Sequence, residues 1–297
     1  MAGKTRELKT RMKAVGNIQR ITKTMQMIST ARFQAMQKRA VSAQAYSRKI
    51  AEMVADVATA AGTDERFSHP LLSAPEPAAG RELLLVISSN RGLCGGYNAN
   101  VLRTALSFIR EHDRDKLDLQ VVGKKGRGYF KFNRIELDAY LEQFGETPEF
   151  EDVRKLAEGY MAAFIDGRYD AIRVCYMAFE TMSRQSSKIE QLLPMQPPKA
   201  KKEAAGLNTG SNVQYEFSPP AEQLLGELLP ITLKTRLYQC FNEAVVSEQL
   251  ARMVAMKAAT DAAGKMKKNL GRQYNRARQT AITTELTEII SGAMALE

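Results

Sequence analysis

The residues best placed to do chemistry are in "SSNRGLCGGYN", Ser88 to Asn98, which follows the apolar run "LLLVI" and precedes a helical pattern. A glycine-rich turn between a strand and a helix can bring backbone N–H groups against a phosphate. A phosphate-binding loop also needs a lysine followed by Ser or Thr at the helix start, and the corresponding stretch here is "CGGYN". The dinucleotide fingerprint GxGxxG is absent, and the second strand leads into "VVGKKGRG" with no acidic ribose ligand. No nucleophile elbow or carboxylate pair lies nearby. Physically, Gly92, Gly95 and Gly96 permit positive φ and a tight projecting turn, Arg91 is an exposed cation, and Asn98 can cap the following helix. These residue types suit a turn that presents an arginine to a partner, and equally a plain strand-to-helix turn.

Other chemistry is sparse. Cys94, Cys175 and Cys240 lie far apart and form no CxxC spacing, and His69 and His112 are too few and scattered for a metal cluster. Neither a metal, a disulfide framework nor a cofactor is expected. No unbroken apolar stretch approaches the roughly 18 to 20 residues that span a bilayer, and "MAGKTRELKTRMK" lacks the apolar centre of a secretory signal, so a cytoplasmic location is the expectation.

The glycine turn must be positioned by the middle of the chain. Residues 83–88, 117–123 and 170–179 read as strands, with helices at 99–112 and 151–165 between them and a later strand in "KIEQLLPM", Lys188 to Met195. Strand alternating with helix predicts an α/β domain with a mostly parallel sheet, over residues 61–196. Residues 197–220, rich in Pro, Gly, Lys and Asn, read as a flexible loop or linker.

The two ends read as long helices, 1–60 and 221–297. From Thr5 to Thr59 there is no proline and one glycine, and Leu8, Met12, Val15, Ile18, Ile21, Met25 and Ile28 recur in steps of three and four. The stripe continues through Ala31, Ala35, Ala40, Tyr46, Ile50, Met53 and Val57. After Pro230 the same spacing runs through Leu237, Phe241, Ala244, Ala251, Ala255, Ala258 and Ala262. Such ends pair most simply as a long antiparallel coiled coil. An alanine-rich seam brings axes to about 8 Å, giving a slim shaft that is weak alone and suited to a partner that encloses it.

Charge divides along the same lines. The net charge of +10 arises at the ends: residues 1–60 hold 12 Lys/Arg against 3 Asp/Glu and residues 231–297 hold 10 against 6, while the rest holds 21 against 24. Lys9, Lys13, Arg20, Lys23, Arg32, Lys38 and Arg39, spread along the first helix, suit an acidic surround. A basic coiled coil that binds nucleic acid is the alternative, although residues 1–60 offer only Phe33 and Tyr46 for stacking on bases.

Three blocks carry a resemblance: "NIQRITKTMQMISTAR" (17–32), "RGLCGGYN" (91–98), and "SEQLARMVAMKAATDAAG" with "YNRARQTAITTELTEIISGAMA" (247–264 and 274–295). Through them the chain resembles, over nearly its full length, the γ-subunit family of F-type ATP synthases, the central rotor stalk. The resemblance implies an antiparallel coiled coil inside the ring of α and β subunits, with an α/β domain below. It implies a chain without an active site, catalysis on β, and a foot clamped to the c-subunit ring and to ε. Met25 in "RITKTM" matches a family position against the acidic C-terminal loop of β, and Lys23 of the same block counts among the contacts. Arg91, Gly92 and Cys94 match the turn that meets the same region. Arg278 and Gln279 match residues that hydrogen-bond a loop of β, and Arg252 and Glu285 fall where family residues support coupling. The 197–220 loop matches no family block, and the regulatory cysteine pair of some photosynthetic relatives is absent. The first block begins at Asn17, close to Met1, which points to the cytoplasmic face of a bacterial membrane as the setting.

Overall fold

The computed structural model describes residues 2–60, 69–73, 75–76, 78–145, 147–195 and 221–294. The expected 197–220 loop lies outside the described residues, as do the side chains of Tyr46 and Val57. In chain order the elements are α1 (Ala2–Ala60), β1 (Glu82–Ile87), α2 (Tyr97–Glu111), a 3₁₀ turn (Arg114–Lys116), β2 (Leu117–Val122) and α3 (Lys124–Phe132). They continue with β3 (Ala139–Leu141), α4 (Phe150–Ile165), β4 (Ala171–Phe179), β5 (Gln185–Leu193) and α5 (Ala221–Met294). Contacts divide the chain into an α/β unit, Phe33–Ala251, and a helical unit, Met1–Arg32 with Arg252–Glu297.

The α/β unit is built on a five-stranded sheet of order β3-β2-β1-β4-β5. β1 pairs in parallel with β2 and β4, β2 in parallel with β3, and β5 closes the sheet antiparallel to β4. An unbroken apolar run such as Leu83–Ile87 is what a central parallel strand covered on both faces requires. Leu83, Leu85 and Ile87 face a core with Val153, Tyr160 and Phe164 of α4 and Leu233, Leu237 and Phe241 of α5. Leu84 and Val86 face Val101 and Ala105 of α2 and Phe130 of α3. Two elements, α3 and β3, are not foreseen by the sequence reading, and β5 begins at Gln185, three residues earlier than expected.

Charged pairs bind α5 to this unit. Arg236 is ion-paired with Glu190 of β5, which also accepts from the Tyr176 hydroxyl at 2.9 Å and pairs with Lys188 at 3.1 Å. Burial pushes the Glu190 carboxyl up, but the hydrogen bond and charge of Arg236, with Lys188, outweigh it and hold the pKa below the usual carboxylate value. Pro230 lies inside α5. Its ring removes the hydrogen bond to the carbonyl of residue 226, a cost the first turns absorb because Leu229 and Leu233 are buried beside it.

In the helical unit α1 and α5 run antiparallel. The Thr260 hydroxyl donates to that of Thr22 at 2.8 Å. Gly264 faces Gln19, Gly16 faces Lys267, and Gly271 faces Met12, so numbers on one helix rise as those on the other fall. The sequence reading places Ile18, Ile21 and Ile28 in the seam, and the structure corrects this: they are 53%, 59% and 49% exposed. The inward residues are Leu8, Val15, Thr22 and Ser29, a strict seven-residue repeat, with Met12, Gln19 and Gln26 beside them. On α5 Ala258 and Ala262 are exposed, and Met256, Ala259 and Ala263 lie inward. A two-helix seam follows a period of 3.5 residues, and steps of three and four fit two neighbouring faces equally well.

Candidate subunit-contact sites

The glycine turn follows β1, and its first residues are consumed inside the fold. The Ser88 hydroxyl donates to the Val122 carbonyl at 2.7 Å and accepts from the Gly126 N–H at 2.9 Å. The Lys125 N–H donates to the Ser89 carbonyl at 3.0 Å and the Lys124 N–H to Asn90 Oδ1 at 3.1 Å. These are the first three N–H groups of α3, the donors a phosphate would need. The close approach depends on glycine: Gly123 has φ +95, and a Cβ there would stand 2.3 Å from the Ser88 carbonyl oxygen. At Gly126 a Cβ would stand 2.5 Å from Ser88 Oγ. The second glycine segment, "GKKGRG", thus receives the chain's own residues 88–90. The cavity at this end, lined by Ile87, Tyr97, Phe144 and Phe241, holds about 20 Å³. That is room for about one water, against the roughly 300 Å³ or more of a small-molecule pocket.

Beyond Asn90 the chain projects. Leu93 (φ 62) and Gly95 (φ 55) take the left-handed conformation, whereas Gly92 and Gly96 do not, so one of the three glycines expected there carries the turn's positive φ. Asn98 is not the cap of α2. The N-cap is Gly96, and Asn98 lies inside the helix, where its Oδ1 accepts from the Ser89 N–H at 3.1 Å and its Nδ2 donates to Cys94 Sγ at 3.2 Å. Cys94 is buried and pins the turn from within, leaving exposed Arg91 and Leu93 as the outward side chains, with Gly92 half-buried against Lys125. Exposed Leu93 is missed by the sequence reading, since nothing in "RGLCGG" tells which way a lone leucine points.

Of the remaining expected contacts, all in the helical unit, Lys23, Arg278, Gln279 and Glu285 are exposed, Met25 is half-buried and Arg252 is buried. The pairing places residue 271 opposite residue 12, so by residue 281 α5 has passed the start of α1. Ile282, Leu286, Ile289 and Ile290 on this last stretch are all more than half exposed. With Ile18, Ile21 and Ile28 they form apolar surface the sequence reading did not assign to contacts, because it had spent the isoleucines of α1 on the seam. No group of three His, Cys, Asp or Glu among the described residues could hold a metal ion.

A family model described as ATP synthase matches residues 4–296. The ATP synthase gamma chain of Rhodopirellula baltica is 44% identical over 296 residues, covering 98% of each chain. This chain belongs to the ATP synthase gamma chain family. Gamma chains of Desulforudis audaxviator and Histophilus somni (strain 2336) are 39% and 37% identical, and the alignments cover at least 98% of each partner. The fold of the gamma chain is seen in a chain of the Euglena gracilis mitochondrial ATP synthase OSCP/F1/c-ring structure, with a TM-score of 0.66 at 18% identity. That match covers 100% of this chain and 95% of the other. A rotor chain of the same organism matches at 0.62 over 95% and 100%.

Proposed function

We propose that the chain is the central rotating shaft of an F-type ATP synthase, coupling proton flow through a membrane ring to ATP synthesis or hydrolysis. It is a non-catalytic subunit, with the chemistry on β. The observation that carries this reading is the match to ATP synthase gamma chains, one of them 44% identical over 98% of each chain, in a chain whose two ends pair as helices. Its partners are the α and β subunits of the catalytic head, the ε subunit and the c-subunit ring, and its place is the cytoplasmic face of a bacterial membrane, reached through the complex. No described helix is long and apolar enough to cross a membrane. The helical unit suits an enclosing partner: its outward isoleucines call for apolar lining, and its cations for nearby carboxylates. Within this reading Lys23, Met25, Arg91, Gly92, Arg278, Gln279 and Glu285 are the contact residues, with Cys94 fixing the turn that bears Arg91 and Arg252, buried, acting from inside the chain and not on a partner's surface. The nucleic-acid alternative has only the net charge behind it.

Purification of the tagged chain from membranes should bring down three copies each of two nucleotide-binding proteins; recovery of the chain without them overturns the reading. Within that complex, Met25→Lys adds a charge beside the proposed acidic loop of β. It should lower proton pumping per ATP hydrolysed while leaving assembly intact, and an unchanged ratio would show that Met25 is misplaced here.

A further inference from the structure

The densest charge of a single sign among the described residues of the α/β unit is on α3, which the function above does not use. Lys124, Arg127 and Lys131 share one helical face at steps of three and four, Lys125 lies beside them, and Arg134 follows just past the helix end; all five are exposed. No acidic residue occurs between 124 and 134, although residues 61–230 as a whole hold more Asp and Glu than Lys and Arg. Among the described residues no carboxylate pairs with any of the five, and Arg127 instead lies over the Tyr140 ring at 4.7 Å. Phe132, on the last turn, is 86% exposed, more than any other large apolar residue described.

This face costs the isolated chain stability. Lys124 and Lys125 stand in the first turn, where the helix dipole repels cations. Like charges at steps of three and four repel each other, and an exposed phenylalanine gains nothing from water. A facing set of carboxylates would reverse the sign of the charge terms. The other face of α3 is committed to the core through Gly126 and Phe130, so the outward face has too little apolar surface to lie in a lipid interface. The patch also continues into the glycine turn: a Cβ on Gly92 would stand 3.5 Å from Lys125 Cε.

We propose that α3 is a second docking face, which receives a carboxylate-rich protein surface whose apolar recess takes Phe132. The proposal rests on the functional reading above, since the partner is a neighbouring subunit of the assembled complex.

The test is zero-length carbodiimide coupling on the purified complex, with peptides linked to Lys124, Lys125 and Lys131 mapped by mass spectrometry. The expected result is linkage to Asp or Glu of one neighbouring subunit. The yield should fall about tenfold in Arg127→Glu/Phe132→Ala, and similarly in 0.5 M salt, where the Debye length shrinks to about 4 Å. The variant's thermal midpoint should stay level or rise, because the carboxylate introduced at position 127 lies between Lys124 and Lys131 on the same face. An intact complex whose three lysines give no inter-chain product overturns the proposal, as does a yield indifferent to both variant and salt. Protection of these lysines from acetylation only by vesicles containing about 30 mol% phosphatidylserine would assign the face to lipid instead. If the wild-type chain purifies without nucleotide-binding subunits, the functional reading falls and takes this proposal with it.

Discussion

At the scale of single residues, two glycines of one helix make opposite predictions. Gly126 and Gly128 both lie in α3. Glycine inside a helix is ordinarily worth replacing, since alanine gains about 0.5–1 kcal/mol by restricting the unfolded chain. Gly128 has nothing within 4 Å of its missing Cβ, so Gly128→Ala should stabilise the chain by about that much. At Gly126 the added carbon would meet Ser88 Oγ at 2.5 Å and Val121 Cγ1 at 2.8 Å, so Gly126→Ala should destabilise by about 1–3 kcal/mol. Urea titration of both variants checks the pair, and equal shifts would show that Ser88 does not occupy the mouth of α3. Glu190 offers a test in pH. Its folded pKa lies below the unfolded carboxylate value of about 4.3, so its contribution is fully present above that pH and is lost as pH falls through the folded value. Glu190→Gln should therefore cost about 1–3 kcal/mol at pH 7, and the gap from wild type should narrow in melts below about pH 4.

At the scale of elements, the pairing of α1 with α5 says which part of α5 depends on it. The facing positions leave residues past about 281 without a partner helix, and residues 285–294 are all exposed. A chain ending at Thr283 should keep the thermal midpoint of the full chain within about 2 °C, because an unpacked helix end contributes little beyond propensity. A larger fall would mean that the last turns fold back on something. The same two helices show how far the sequence is legible. Their existence follows from periodicity and from the scarcity of Pro and Gly, but the face they share does not. The seam takes Thr22 and Ser29 inward and turns Ile18, Ile21 and Ile28 out, so ranking residues by hydrophobicity selects the wrong stripe. The parallel core was legible because unbroken runs such as Leu83–Ile87 have few other uses. By contrast α3 was not, since "KKGRG" has turn composition and cations at its N-terminus. It is held by Phe130 in the core and by Ser88, 38 positions away from Gly126, a distance that local pattern does not span. Asn98 was misread for a related reason: its partners Ser89 and Cys94 lie behind it in the turn, not along the helix it was expected to cap.

At the scale of the whole chain, the two units differ in what holds them. Among the described residues of the helical unit few are buried: Leu8, Met256 and Ala263 are the apolar ones, with Thr22, Ser29 and Arg252 beside them. The α/β unit has two apolar clusters with Phe130, Phe164, Tyr176 and Phe241 among its fully buried side chains. At about 25 cal/mol per Å² of buried apolar surface, the helical unit should open well before the other. The three cysteines make this measurable, because all are buried in the α/β unit. Burial pushes the Cys175 and Cys240 thiols up to about 12, so at pH 8 they stay in the unreactive thiol form while the unit stays folded. In a urea titration of the isolated chain, ellipticity at 222 nm should fall in two steps. Reaction with a thiol reagent should stay low through the first step and complete with the second. Thiol exposure coincident with the first loss of helix would mean that the chain unfolds as one cooperative body, in which the paired ends draw their stability from the sheet.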